Sequence, residues 1–217
     1  MAGDGADLTG SGPSAGARLR LPLDQVKHVP VPNELRGSQL ERRARVLDAA
    51  MALASAGGYD AVQMRDVAAQ ADVALGTVYR YFSSKDHLLA ASLVYWVDLL
   101  ADALGTAALE GATPAERVAN LLASATRVMS HQPKLVAALL TPLSSPDPGV
   151  SECRERVART MEHLVTVAAG SPAPDDISDR ARMLGHIWYS TLLSWIHGTS
   201  DVGAVTTDLA IASRLLL

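Results

Sequence analysis

Leu75, Gly76, Thr77, Tyr79, Arg80 and Tyr81 share the outward face of one short predicted helix, and their chemistry suits the recognition of DNA. A glycine lets the backbone approach a duplex closely, and a threonine hydroxyl reaches a base edge or a phosphate. A tyrosine offers its ring to a thymine methyl and its hydroxyl to a phosphate. Arg80 could be bidentate to a guanine or merely ion-paired. Lys85 follows where a new helix begins, so its charge and the positive end of the helix dipole both favour a phosphate. Gln63, just ahead of the preceding helix, joins these candidates. Arg42, Arg43 and Arg45, at the start of an earlier helix, are as suited to clamping phosphates as to forming a solvated basic face.

Two short helices must position that face. Val67, Ala68 and Ala71 mark a helix over Met64 to Ala71, and Val78 and Phe82, four residues apart, give a second over Leu75 to Phe82 an inward side. Only Asp72, Val73 and Ala74 separate them. A connection that short makes two helices cross steeply and presents the second to a major groove, which is a helix-turn-helix.

The ordered run Met64-Arg65-Asp66-Val67-Ala68, then Val73 through Phe82, then Ser84-Lys85-Asp86 resembles the signature of the TetR family of bacterial transcription regulators. The likeness covers roughly Glu41 to Leu89, and within it the chain is most similar to the KstR group of actinobacterial steroid-catabolism repressors. It implies a TetR-like all-α fold, with an N-terminal three-helix helix-turn-helix head on a C-terminal helical bundle that binds ligand and dimerises. Two positions depart from the pattern. Ala74 stands where a serine or threonine commonly caps the recognition helix, removing a hydrogen bond worth about 1 kcal/mol. Asp72 replaces a common glycine where a left-handed backbone is expected, a conformation that aspartate tolerates.

The chain of 217 residues, 48% hydrophobic and 19% charged, can build a substantial core. Its formal net charge of −4 is unevenly spread. Arg36 to Ala90 holds seven basic and six acidic residues, whereas Ala91 onward holds nine and thirteen, so non-specific DNA affinity should be modest and salt-sensitive. Cys153 is the single cysteine, which excludes an internal disulfide framework. No apolar run reaches the length of a membrane span and no leader pattern opens the chain, so the expected location is the cytoplasm.

Three regions are expected: a flexible arm over 1–37, the reading head over 38–83 and the bundle over 84–217. The arm is rich in glycine, alanine, serine and proline, a composition that favours a solvated leader; Arg18, Arg20 and Lys27 are what would let it reach a groove instead. Ser38 and Glu41 suggest a capping box for the first helix, which Gly57-Gly58 ends. Ser84 should cap a long helix to about Leu104, the connecting rod between bundle and head. Beyond it, Thr113-Pro114-Ala115-Glu116 opens a helix to about Ser130, and Pro133 a short one to Thr141. Further helices run from Asp147-Pro148 to Ala169, from Asp176 to His197, and from Asp201 to the terminus.

Leu184, Ile187, Trp188, Thr191, Leu192, Trp195 and Ile196, with Leu209, Ile211 and Leu215, give the last two helices more apolar surface than a small bundle needs. They form a candidate homodimer seam, which the family resemblance also implies; a twofold dimer would match a palindromic operator. Met129, Leu135, Leu139, Leu140 and Met161 are candidate walls of an effector pocket, with Leu164, Val165, Met183, Trp188 and Trp195. Methionine adapts and tryptophan is flat, which suits a large rigid apolar molecule. A steroid or its acyl-CoA thioester is what the narrower resemblance implies. Arg127, His163, His186, Tyr189 and His197 could orient such a ligand, and Arg127 or Lys134 could meet CoA phosphates.

His131, His163, His186 and His197 raise the question of an enzyme. Yet the chain has no HExxH, phosphate loop or nucleophile elbow, and nothing in it calls for a metal or cofactor. The expected function is a dimeric, ligand-responsive repressor of operator DNA. A DNA-binding activator or architectural protein with no small-molecule effector is the alternative.

Overall fold

The computed structural model describes residues 37–104 and 110–217. Residues 1–36 of the predicted arm, with Arg18, Arg20 and Lys27, lie outside the described residues, and Gly37 belongs to the first helix. Nine α-helices make up the described chain: α1 (Gly37–Gly57), α2 (Met64–Gln70), α3 (Leu75–Tyr81), α4 (Lys85–Leu104), α5 (Pro114–Ser130), α6 (Pro133–Leu140), α7 (Pro148–Ala169), α8 (Ile177–Ile196) and α9 (Val202–Leu216). Short 3-10 turns over Tyr59–Ala61 and Thr141–Ser144 were not anticipated from sequence. The fold is all-α, as expected.

The ends of these helices follow from local chemistry. Thr113 and Glu116 close a reciprocal capping box around Pro114: the Thr113 hydroxyl accepts from the Glu116 amide at 3.2 Å, and the Glu116 carboxylate accepts from the Thr113 amide at 3.3 Å. Asp147 caps α7 by accepting from the Gly149 amide, and Asp201 caps α9 by accepting from the Ala204 amide. Ser84 caps α4 through the His87 amide at 3.0 Å. The expected box at Ser38 is corrected: α1 already begins at Gly37, so Ser38 lies inside the first turn.

Helices α1, α2 and α3 form the head. Val46, Leu47, Ala50 and Met51 of α1 pack with Val67 and Ala68 of α2, Val78 of α3 and Phe82 just beyond it, all buried. The core continues into the bundle without interruption, because α4 and α6 both pack against α1 while α4 also lies along α7. Helices α5, α7, α8 and α9 then stack on one another, with α9 against α5 as the most extensive contact. The helix-turn-helix is therefore mounted on the same packed body as the bundle. Among the described residues no helix is long and apolar enough to cross a membrane.

Candidate nucleic-acid interface and apolar chamber

The turn between α2 and α3 is built as the sequence suggested. Asp72 has φ of 51°, the left-handed conformation that reverses the chain, and the Val73 amide donates to the Ala68 carbonyl at 3.0 Å. Ala74 precedes α3 in an extended conformation and supplies no side-chain cap. Val78 and Phe82 hold α3 by its inner side, both almost fully buried. The opposite side is open. Leu75, Gly76, Tyr79 and Arg80 are exposed there, Tyr79 to 52%, and Thr77 is half-buried at its edge. A β-carbon at Gly76 would meet no atom within 4 Å, so that opening belongs to the solvent face.

The other candidates divide into free and engaged groups. Arg42 is exposed, whereas the Arg43 guanidinium lies 5.3 Å from the Phe82 ring centroid and is half-buried. Burial pushes the Arg43 pKa down. Arg45 donates from Nε to the Ala71 carbonyl at 3.1 Å, fastening the helix-turn-helix turn to α1. Tyr81 departs from its expected outward position. It is half-buried, and its hydroxyl donates to the Gln39 carbonyl at 3.4 Å, because the ring falls against α1 at the end of α3. Gln63 is exposed and donates back to the Asp60 carbonyl at 3.1 Å. The Lys85 ammonium rests 3.8 Å from the Tyr59 ring centroid, and the Tyr59 hydroxyl donates to Asp86 at 2.6 Å. That bond, which favours the protonated phenol, lifts the Tyr59 pKa to about 12.

In the bundle, Met129, Met161, Leu164 and Trp188 surround an apolar cavity between α4, α5, α7 and α8. Val97 and Leu100 of α4 and Leu122 and Ala125 of α5 complete most of its wall; sequence reasoning did not place them in a pocket. The cavity holds about 20 Å³, room for one water and far below the roughly 300 Å³ or more of a drug-sized site. Its nearby polar pair was missed as well. Trp188 Nε1 donates to Thr126 Oγ1 at 2.9 Å, and Thr126 donates to the Leu122 carbonyl at 2.8 Å, all buried. The available signal was a threonine in the buried stripe of α5, four residues after Leu122 and three before Met129.

The remaining ligand candidates lie elsewhere. Leu135, Leu139 and Leu140 of α6, together with Val165, are buried in the core away from this cavity. Trp195 is half-buried near the end of α8. Met183, 42% exposed, lines instead an outer groove of about 300 Å³ between α8 and α9, with Ile187, Ile211 and Leu215. The reason is helical phase: Leu184, Trp188 and Leu192 turn inward and are buried, so Met183 and Ile187 point the other way.

None of the polar residues expected to orient a ligand lines the cavity. Arg127, His163, His186 and His197 are exposed, Tyr189 is half-buried, and Lys134 donates to the Ala56 carbonyl of α1 at 3.1 Å. His131 is exposed with Nδ1 2.7 Å from the Arg127 carbonyl, and among the described residues no three His, Cys, Asp or Glu side chains gather as a metal site.

The geometry has counterparts among known proteins. Residues 46–92 match the model of bacterial regulatory proteins of the tetR family, and residues 111–216 match a tetracyclin repressor-like C-terminal domain. The HTH-type transcriptional repressor KstR of Mycolicibacterium smegmatis is 38% identical over 181 residues, covering 83% of this chain and 89% of that protein. A TetR transcriptional regulator from a Rhodococcus species superposes with a TM-score of 0.76 at 31% identity, covering 83% of this chain and 97% of that one. Thermus thermophilus FadR, solved with lauroyl-CoA, shares the fold with a TM-score of 0.64 at 20% identity, over 80% of this chain and 92% of that one. A helix-turn-helix mounted on a helical bundle, matched through both parts by these relatives, places the chain in the TetR family of bacterial transcription regulators.

Proposed function

We propose that this chain is a transcriptional repressor that binds palindromic operator DNA as a homodimer and releases it when a hydrophobic small molecule enters the bundle. The observation that carries the reading is the similarity to the repressor KstR, which runs through head and bundle alike at 38% identity. The exposed side of α3 supplies the reading surface, with Leu75, Gly76, Thr77, Tyr79 and Arg80 on bases or phosphates and Arg42 on the backbone. The apolar groove of Met183, Ile187, Ile211 and Leu215 supplies the dimer seam. The cavity beside Trp188 supplies the starting point of an effector chamber, with methionines able to repack around a steroid or an acyl-CoA chain.

A second reading, a DNA-binding regulator that senses no small molecule, draws on the size of that cavity. At about 20 Å³ it cannot admit such a ligand without opening. Anisotropy titration of the protein with DNA from its own upstream region, with and without steroids and their CoA thioesters, separates the two. Release by one of these ligands supports the first reading, and binding indifferent to all of them supports the second. Sedimentation of Met183→Glu and Ile211→Asp tests the seam: a monomer is expected, and an unchanged dimer would place the interface elsewhere.

A further inference from the structure

The junction between head and bundle holds a group that the proposed function leaves unused. Asp147, the cap of α7, has both carboxylate oxygens engaged at that junction. Ser84 donates to it at 2.6 Å and Ser83 at 3.0 Å, while the Gly149 amide donates to its other oxygen at 2.8 Å. Ser84 is itself the cap of α4, and Ser83 follows directly on Phe82 at the end of α3. One side chain thus binds the start of α7 to the turn that carries the recognition helix.

The neighbouring contacts make this a close-packed joint. A β-carbon on Gly149 would lie 2.6 Å from the His87 ring, so α7 can approach α4 here only because residue 149 has no side chain. His87 accepts from the Ser83 amide at Nδ1, 3.2 Å away, and meets Phe82 edge-on with centroids 5.6 Å apart. The hydroxyl and amide donors also hold the Asp147 pKa below the usual carboxylate range. Further along the same unbroken helix, Met161 and Leu164 line the cavity, about 20 Å from the joint at 1.5 Å per residue.

We propose that Asp147 couples the chamber to the recognition helix: when an expanding chamber displaces α7, the carboxylate shared by Ser83, Ser84 and Gly149 delivers that displacement to the α3–α4 turn. Helix α4, which also lines the cavity, is then not the sole rod between the two. The regulatory meaning rests on the proposed effector chamber, but the coupling is a property of the chain itself and is tested without effector or DNA.

Ala125→Leu enlarges a wall residue on α5, outside both rods, and overfills a cavity of about 20 Å³. Ala125→Val is the milder form should the leucine prevent folding. Amide hydrogen exchange of residues 83–88 is compared with and without this change, in the natural background and in Asp147→Ser. Serine keeps a hydroxyl to cap α7 but is too short to hold the two serines and the Gly149 amide together. Wall filling should accelerate exchange at 83–88 roughly fivefold or more in the natural background, and by less than half that factor with Asp147→Ser. No acceleration in the natural background, or the same acceleration in both, would overturn the coupling. Loss of operator binding in an unmodified protein would instead count against the proposed function.

Discussion

The Arg43 guanidinium stacks over the Phe82 ring at 5.3 Å, while its neighbour Arg42 stands exposed. Two arginines adjacent in sequence should therefore fail differently. Arg43→Ala removes a cation–π contact and the packing of its stem on the only phenylalanine of the chain, and should destabilise the fold by about 1 kcal/mol or more in urea unfolding. Arg42→Ala should leave stability unchanged and reduce the slope of log affinity against log salt by about one unit. An unchanged slope would remove Arg42 from the DNA interface.

Gly76 separates folding from recognition. It lies inside α3 with open space where a β-carbon would go, so Gly76→Ala should stabilise the head by up to about 1 kcal/mol through helix propensity alone. The added methyl projects from the reading side and should weaken operator binding. Raised unfolding midpoint with undiminished DNA affinity would show that the duplex does not approach α3 here.

Thr77→Ala and Tyr79→Ala extend the same argument to side chains. Both positions lie on the open side of α3 and away from the α8–α9 groove. Each should cut specific operator affinity by about tenfold or more, as expected for losing a base or phosphate contact of 1–3 kcal/mol, with the oligomer unchanged by sedimentation. Undisturbed affinity in both would move the reading surface off α3.

The head was legible in sequence because its instructions are local. A short turn, an aspartate that tolerates positive φ and the inward pair Val78 and Phe82 together specify a helix-turn-helix before any long-range contact forms. The ends of the later helices were legible for the same reason, as at Thr113 and Glu116. What escaped depends on contacts distant in sequence. Tyr81 and Gln39 are 42 positions apart, and Ser84 and Asp147 are 63 apart. Met183 and Trp188 are both apolar residues of α8, yet only the packing of α8 against α7 and α9 decides which faces the cavity and which the outer groove.

Thr126 and Trp188 form a buried pair that should behave non-additively. Thr126→Val keeps the shape of the side chain but leaves the indole N–H without an acceptor, a loss of about 1–3 kcal/mol. Trp188→Phe removes the donor along with part of the wall. In Trp188→Phe the further change Thr126→Val should be nearly neutral, and a cycle measured by urea denaturation would show it. Additive losses would mean that the hydrogen bond contributes nothing beyond packing.

His87 should give the fold a pH dependence of defined sign. Burial at the head–bundle joint is the largest influence and lowers its pKa below the ordinary 6.5; Arg43 pushes the same way, against opposing pulls from Asp147 and Glu152. The unfolded chain therefore takes up a proton at a pH where the native imidazole still refuses it. Stability is full above about 6.5 and declines as the pH falls from there toward the depressed native value. Protonation would also replace the acceptor at Nδ1 with a donor, opposing the Ser83 amide. The Ser84 hydroxyl above all, with the Gly149 amide and Ser83, holds the Asp147 carboxyl below the usual carboxylate range, so its bonds to the serines do not contribute to the change. Urea midpoints at pH 7.5 and 5.5 should fall more between the two values in the natural protein than in His87→Gln, which cannot titrate. Equal falls would assign the acid sensitivity to other groups and leave His87 as a packing residue of the joint.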